Sequence, residues 1–318
     1  MAGRGAVLRG VLTSALRPSL RDLERYRSHL VDDGAGAAPG GLHATFLGTS
    51  TVLLDDGTDQ LLFDAFVSPV GVGAIVRRRV RTSPEHVDRV LAQAGATRVR
   101  AVFVSHSHHD HALDAPYIAA RTGAVVHGSA STAQIGRGGG LPESQLRLLV
   151  PGAATPVGAF SVTALASRHS PGTLGGDGAE ITAPLVQPAA LGDFREGGSF
   201  DFLVEHPAAT VLVKGSAGFV PGALDGVRAD VLLLATAGSV ADDARYRDAF
   251  LDATVSTVRP RVVVPLHWNS LFRAATPSSR PMGTIRDTWD ALVERLGAWG
   301  GELAVLRPGA SLRYPRER

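Results

Sequence analysis

Cysteine is absent from all 318 residues. Disulfides, thiolate-ligated zinc, iron–sulfur centres and a lipid-modified cysteine are therefore excluded. Lysine is almost as scarce, Lys214 being the sole example among 32 basic side chains. No stretch reaches the ~18 uninterrupted apolar residues of a membrane span. Arg4, Arg9 and Arg17 interrupt the opening 20 residues, which breaks up any signal-peptide apolar core. A cytoplasmic protein is the expectation. Aromatics supply only 6% of the chain, so Ala, Gly, Val and Leu must carry the interior, and 44% apolar content is ample for that. A formal net charge of +2 gives no argument for a nucleic-acid partner. The one local excess of charge, Arg77, Arg78, Arg79 and Arg81, reads as a solvated basic turn. The expected partner is a small-molecule substrate.

Histidine, by contrast, is concentrated. Four of the eleven histidines fall within the six residues His106-Ser107-His108-His109-Asp110-His111, directly after the apolar run Ala101-Val102-Phe103-Val104. A strand ending in this way can aim several ligands at one point beyond its edge. Imidazole and carboxylate suit zinc, manganese or iron at neutral pH. Two further histidines follow apolar runs in the same manner. His169 comes just after a strand ending at Ala166, and His267 just after one spanning 261–264.

The chain divides into an N-terminal helical extension and flexible linker over 1–41 and one domain over 42–318. Strands are expected at 42–47, 51–54, 60–63, 99–105, 124–127, 159–166, 200–206, 209–214, 230–234, 261–266 and 302–306. Helices are expected at 1–31, 83–94, 113–121, 240–257 and 284–298, the second opened by Ser83-Pro84-Glu85 as cap and first turn. Alternating strands and helices, with hairpins at the start of each half, give an α/β (α+β) fold of two mixed sheets stacked face to face with helices outside. The glycine-rich run 136–140 lacks the setting of a phosphate cradle and reads as a mobile surface loop. Segment 170–199 is long for a plain connection and reads as a lid.

With these residues in place, the chain resembles the metallo-β-lactamase superfamily across roughly 42–306. The Ser-Arg-His form around His169 looks closest to its lactonase and phosphodiesterase-like branches. The resemblance implies a four-layer αββα sandwich with metals at one edge of the sheets. It implies His106, His108 and His169 as ligands of a first metal, and Asp110, His111 and His267 as ligands of a second. Asp110 would also orient a nucleophilic hydroxide, and Asp64 is a candidate partner fixing an imidazole tautomer. The implied cofactor is zinc, as one or two ions, with manganese or iron as alternatives.

The sequence departs from the family at one place. The turn Lys214-Gly215-Ser216-Ala217-Gly218 has serine where an aspartate bridging both metals is expected. A neutral hydroxyl offsets the repulsion between two dications far less well than a carboxylate does. Lys214 is a candidate substitute cation, and Asp177, Asp225 or Asp230 could replace the bridge only if the fold carried them inward. The implied activity is metal-dependent hydrolysis of an ester, lactone or phosphodiester of a small molecule. His109, Arg168, Trp268 and Asn269 flank the ligands as candidate pocket residues. Two alternatives stand beside it: a degenerate member binding a ligand or partner without hydrolysis, and a mono-iron oxygenase on the same fold.

Overall fold

The computed structural model describes residues 20–34, 41–71, 79–171, 178–237, 239–283 and 285–315. The first half supplies strands β1 (Leu42–Gly48), β2 (Thr51–Asp55), β3 (Gln60–Phe63), β4 (Val99–Phe103), β5 (Val125–Gly128) and β6 (Leu146–Leu148). The second supplies β7 (Ala154–Val157), β8 (Phe160–Ser167), β9 (Ser199–His206), β10 (Ala209–Lys214), β11 (Val231–Ala235), β12 (Val262–Leu266) and β13 (Glu302–Leu303). The last strand, β14 (Ser311–Tyr314), returns to the first sheet.

The sheets run β14-β1-β2-β3-β4-β5-β6 and β13-β12-β11-β10-β9-β8-β7. Alternation of side chains explains why they face each other. Val52, Leu54, Leu61, Phe63, Ala101 and Phe103 point into the layer shared with the second sheet, while Leu53, Leu62 and Val102 point into the layer under the helices. A one-residue slip would exchange these faces. Phe63, Phe103 and Phe202 join the sheets at the centre, with ring centroids 5.4 to 5.6 Å apart. The observed architecture is the two-sheet α/β sandwich read from the sequence.

Helices α1 (Leu20–Arg25), α2 (Pro84–Gln93), α3 (Ala115–Thr122), α4 (Ala130–Gly138), α5 (Ala244–Leu251) and α6 (Arg286–Gly297) complete the described elements of six or more helical residues. Proline opens α2 as expected, and Gly123 closes α3 in the left-handed region. The helix expected over 240–257 is broken: Asp243 caps α5 anew, and 252–256 winds as a wider π turn.

Helix α4 corrects the reading of 136–140 as a mobile loop. Gly136 is buried, and a Cβ there would meet Leu146, while one on Gly138 would collide with the backbone of Leu185. Glycine is used here for close approach despite its low helix propensity. The opposing segment is fixed to α4 by bonds from Leu185 N to Gln134 O (3.0 Å) and Ile181 N to Ser131 Oγ (2.8 Å). It also pairs Ala189 with Val80 in a short ribbon. The described part of 170–199 is thus a strap across the first-half helices, and 172–177 lies outside the described residues.

Residues 20–34 pack on the body of the domain. Residues 1–19 of the expected helix lie outside the described residues, as do 35–40 of the expected linker. Leu23 and Tyr26 are buried, Tyr26 stacks edge-on against Trp289, and its hydroxyl donates to Asp290 at 2.7 Å. Asp33 N donates to Ser311 O and Arg313 N to Asp33 Oδ2, so residues 32–33 are held along β14. Among the described residues no helix is long and apolar enough to cross a membrane.

Beneath β4, His127 stacks on Phe103 with centroids 4.6 Å apart, and burial together with Arg147 pushes its pKa down to about 4. Protonation therefore favours the unfolded chain. The contribution is full above the unfolded value near 6.5 and is lost as the pH falls through the window to about 4. His127→Leu is expected to shrink the fall in unfolding free energy between pH 7 and pH 4.5 by about 2 kcal/mol. Urea denaturation at the two pH values checks this, and an unchanged fall would show that His127 titrates alike in the folded and unfolded states.

Candidate metal centre

The strand directions gather the chemistry at one edge. β3 and β4 are parallel, as are β10, β11 and β12, and β8 runs in their sense through its antiparallel pairing with β9. The C-terminal ends of β3, β4, β8, β10 and β12 therefore deliver Asp64, the 106–111 segment, His169, Ser216 and His267 to the same rim. Three of the four non-glycine residues with positive φ among the described residues lie there: Thr49 (52°), Asp64 (54°) and His267 (60°). Such backbone costs about 1–2 kcal/mol per residue. The surrounding bonds hold it in place. His267 N donates to Thr49 O, Thr49 N to Asn269 Oδ1 (2.8 Å), and Ser50 Oγ to Gly215 O (2.8 Å).

The donors form two clusters, His106 with His108 and His169, and Asp110 with His111 and His267. Within each cluster the ligand atoms all lie within 4.8 Å of one another. The His106 and His111 rings are 3.9 Å apart, so the clusters are neighbours. Asp110 Oδ2 is 3.3 Å from His267 Nε2 and 3.7 Å from His111 Nε2. His106 Nε2 is buried and has no hydrogen-bond partner. A buried donor atom left open inside a ring of imidazoles is the arrangement a metal ion completes, so the residues fit the group the resemblance implies.

Electrostatics at the His106, His108 and His169 cluster agree with that fit. Burial, reinforced by His111, His169 and His108, holds the His106 imidazole well below its usual pKa. Burial and His108 push His169 down to about 3. Both rings are thus neutral at pH 7, the state a metal requires. Burial works against the charge on Asp110, yet His111, His109 and His267 hold its carboxyl well below the usual range. Burial likewise opposes charge on His111, but Asp64 and Asp110 raise it.

A second layer orients these ligands. Asp64 Oδ2 accepts from His111 Nδ1 at 2.7 Å and from Ser105 Oγ at 3.0 Å, and Oδ1 accepts from Ser105 N at 2.7 Å. Ser105 Oγ also lies 3.1 Å from His106 Nδ1, so one hydroxyl touches the support of both clusters. His169 Nδ1 is 2.9 Å from Ser170 O. Sequence reasoning missed Ser105, Ser170 and Gly215. Ser105 was legible as the residue before His106, at the end of a strand neighbouring the one that ends at Asp64. A Cβ on Gly215 would lie 2.6 Å from Asp64 Oδ2 and 2.7 Å from Ser105 Oγ, which leaves no room for a side chain.

The other candidates separate. Ser216 Oγ accepts from Ser170 N at 3.1 Å, beside the first cluster. Lys214 is not a stand-in cation at the metals: its ammonium is bonded to Asp201 (2.7 Å) and Ser167 (3.2 Å). Trp268 is buried between Phe46 and Trp289, and Asn269 braces Thr49, so both are scaffold. Arg168 is exposed. His109 packs edge-on against Phe66 at 5.8 Å. Asp225 is exposed in a turn, and Asp230 accepts from Thr210 N and Tyr314 Oη at the far end of β11. Neither supplies a bridge, and Asp177 lies outside the described residues.

Asp64→Asn removes the charge that holds His111. It is expected to weaken metal binding at the Asp110, His111 and His267 cluster by about 10–100-fold while sparing the other cluster. Chelator competition resolves the two affinities, and equal losses at both would assign Asp64 to the fold rather than to one site.

Comparison with known proteins identifies the family. The model of the metallo-beta-lactamase superfamily matches residues 44–256. A UPF0173 metal-dependent hydrolase from Heliobacterium modesticaldum is 27% identical over 239 residues, 72% of this chain and 83% of that protein. Igni18, a metallo hydrolase from Ignicoccus hospitalis, superposes with a TM-score of 0.54 at 16% identity, covering 87% of this chain and all of that one. CmlA, a diiron β-hydroxylase from Streptomyces venezuelae, superposes at 0.52 and 13% identity, over 87% of this chain and 54% of its own. With two thirds of its length matched by the family model, and a metal-dependent hydrolase among its relatives, the chain belongs to the metallo-beta-lactamase superfamily.

Proposed function

We propose that this protein is a metal-dependent hydrolase cleaving an ester, lactone or phosphodiester bond of a small molecule. The observation that carries the reading is the pair of three-donor clusters built on one six-residue segment, His106 to His111. His106, His108 and His169 would hold a first metal through neutral imidazoles, and Asp110, His111 and His267 would hold a second. A metal bound there acts as a Lewis acid and lowers the pKa of a coordinated water to ~7. The ionised Asp110 carboxylate would serve to orient a water at the site. Asp64 and Ser170 fix the tautomers of His111 and His169, so each ring presents Nε2.

The two positions are unequal. Ser216 stands where the family resemblance calls for a bridging carboxylate, and its hydroxyl is already engaged by Ser170 N. A neutral hydroxyl cannot offset the repulsion of two dications, so the first metal is held tightly and the second weakly. Zinc suits the histidine-rich first position.

One observation favours a second reading. Asp110, His111 and His267 form a two-histidine, one-carboxylate set, the ligand type of mono-iron oxygenases. A degenerate ligand-binding role is opposed by the unpartnered His106 Nε2, since a buried polar atom without a partner is costly.

Mass spectrometry after mild chelation is expected to find one ion per chain, zinc, with a second regained on titration. Two tightly held ions would overturn the asymmetry, and iron with oxygen-dependent turnover would favour the second reading. Assayed on a chromogenic ester, a lactone and bis-(p-nitrophenyl) phosphate, one class is expected to turn over. His108→Ala should then lower kcat/KM roughly a thousandfold, about 4 kcal/mol. Inactivity on all three with zinc, manganese and iron would count against hydrolysis.

A further inference from the structure

The sole lysine of the chain is fully buried, and it is not at the metal rim. Phe202 faces the other sheet and pairs with Val213, so Asp201 and Lys214, one rung on, face the helix-covered side. There the ammonium lies 5.8 Å from the ring of Phe250 on α5, bonded to Asp201 Oδ2 and Ser167 Oγ. Both charged side chains are at most 4% exposed.

A buried pair of this kind is a poor source of stability, because desolvation cancels the attraction and well-packed apolar replacements are often neutral or stabilising. The present pair is not even fully satisfied, since Asp201 Oδ1 has no hydrogen-bond partner. Its distinctive property is position. It joins the ends of three adjacent strands: Ser167 closes β8, Lys214 closes β10, and Asp201 lies near the start of β9 between them. β8 runs directly into His169, and β10 into the 215–218 turn.

Those two loops are locked to each other. Ser170 N donates to Ser216 Oγ, and a Cβ on Gly218 would collide with the carbonyl of Arg168. Tyr246 Oη of α5 donates to Ala217 O at 2.9 Å, holding the turn from the helix side. His169 is the one member of the first cluster not carried by the 106–111 segment, so its placement depends on how β8 and β10 are tied. We propose that the Lys214–Asp201–Ser167 tie is a positioning element that sets His169 against His106 and His108, and thereby the affinity and geometry of the first metal position. The proposal rests on reading those three histidines as metal ligands.

The test uses cobalt(II) as probe on the full chain. Wild type, the double variant Lys214→Met/Asp201→Leu and Ser167→Ala are compared in melting temperature, cobalt affinity by chelator competition, and ligand-field absorption. The double variant is expected to melt at or above the wild-type temperature. It should nonetheless bind its first cobalt about tenfold more weakly, with altered absorption bands. Ser167→Ala keeps the ion pair and should weaken binding about threefold, within the context-dependence of a single hydrogen bond. Wild-type affinity and spectrum in a folded double variant would overturn the proposal. Should the double variant fail to fold, Ser167→Ala decides alone, and unchanged affinity there overturns it. If wild type itself bound no cobalt, the metal reading would fall and this inference with it, an outcome distinct from normal binding in the variants.

Discussion

The carboxylate of Asp64 is the constraint on which the rim depends. It accepts three hydrogen bonds, two from Ser105 and one from His111, and so joins the end of β3 to the segment leaving β4. That carboxylate fixes the His111 tautomer and braces Ser105 at the start of the 106–111 segment. The requirement propagates outward. Asp64 must sit in the left-handed region to turn its carboxylate inward, and Gly215 must lack a side chain to let the second sheet approach it. Both sheets thus converge on one acidic group that is not itself a member of either donor cluster.

The charge balance of the rim follows from burial. Five imidazoles stand in the two clusters with one carboxylate among them. Burial keeps His106 and His169 neutral, whereas the pair Asp110 and Asp64 concentrates negative charge around His111. One side of the centre therefore presents neutral nitrogen donors, and the other a carboxylate with two imidazoles. The absence of a carboxylate at Ser216 sharpens that difference, because its neutral hydroxyl has no negative charge to share between the two sides. The unequal occupancy proposed above would follow from the electrostatics of the donor set, with no difference in backbone framework.

Much of this was legible in the sequence, for physical reasons that differ by residue. His106 to His111 could be read because the ligands are local and follow an apolar strand. His169 and His267 could be read because each repeats that strand-end setting. The central strands of both sheets were visible in their apolar runs, while β6, β7 and β14 were not. β7 is largely exposed and contains Pro156, and β14 gains its identity from pairing with β1. Helix α4 was hidden because glycine signals a loop locally, whereas its close contacts with Leu146 and Leu185 are tertiary. The linker reading of 32–41 failed at Asp32 and Asp33 for the same reason, since their partners lie some 280 residues away. Lys214 was misplaced because its sequence neighbour Gly215 borders the rim. Strand alternation sends the lysine to the opposite face, and only the register with Phe202 reveals which face that is.

The fold alone does not select the chemistry. A metallo hydrolase and a diiron hydroxylase superpose on this chain with nearly equal TM-scores, 0.54 and 0.52. What differs between such proteins must therefore lie in the donors at the rim and in the loops above them. In this chain the donors favour a nitrogen-rich first position, and the strap over α4 is bonded along its described length instead of hanging free. The rim is braced by Asp64 and by the bond that ties the 169–170 loop to the 215–218 turn. The residues that support the donors therefore shape the site as much as the donors do.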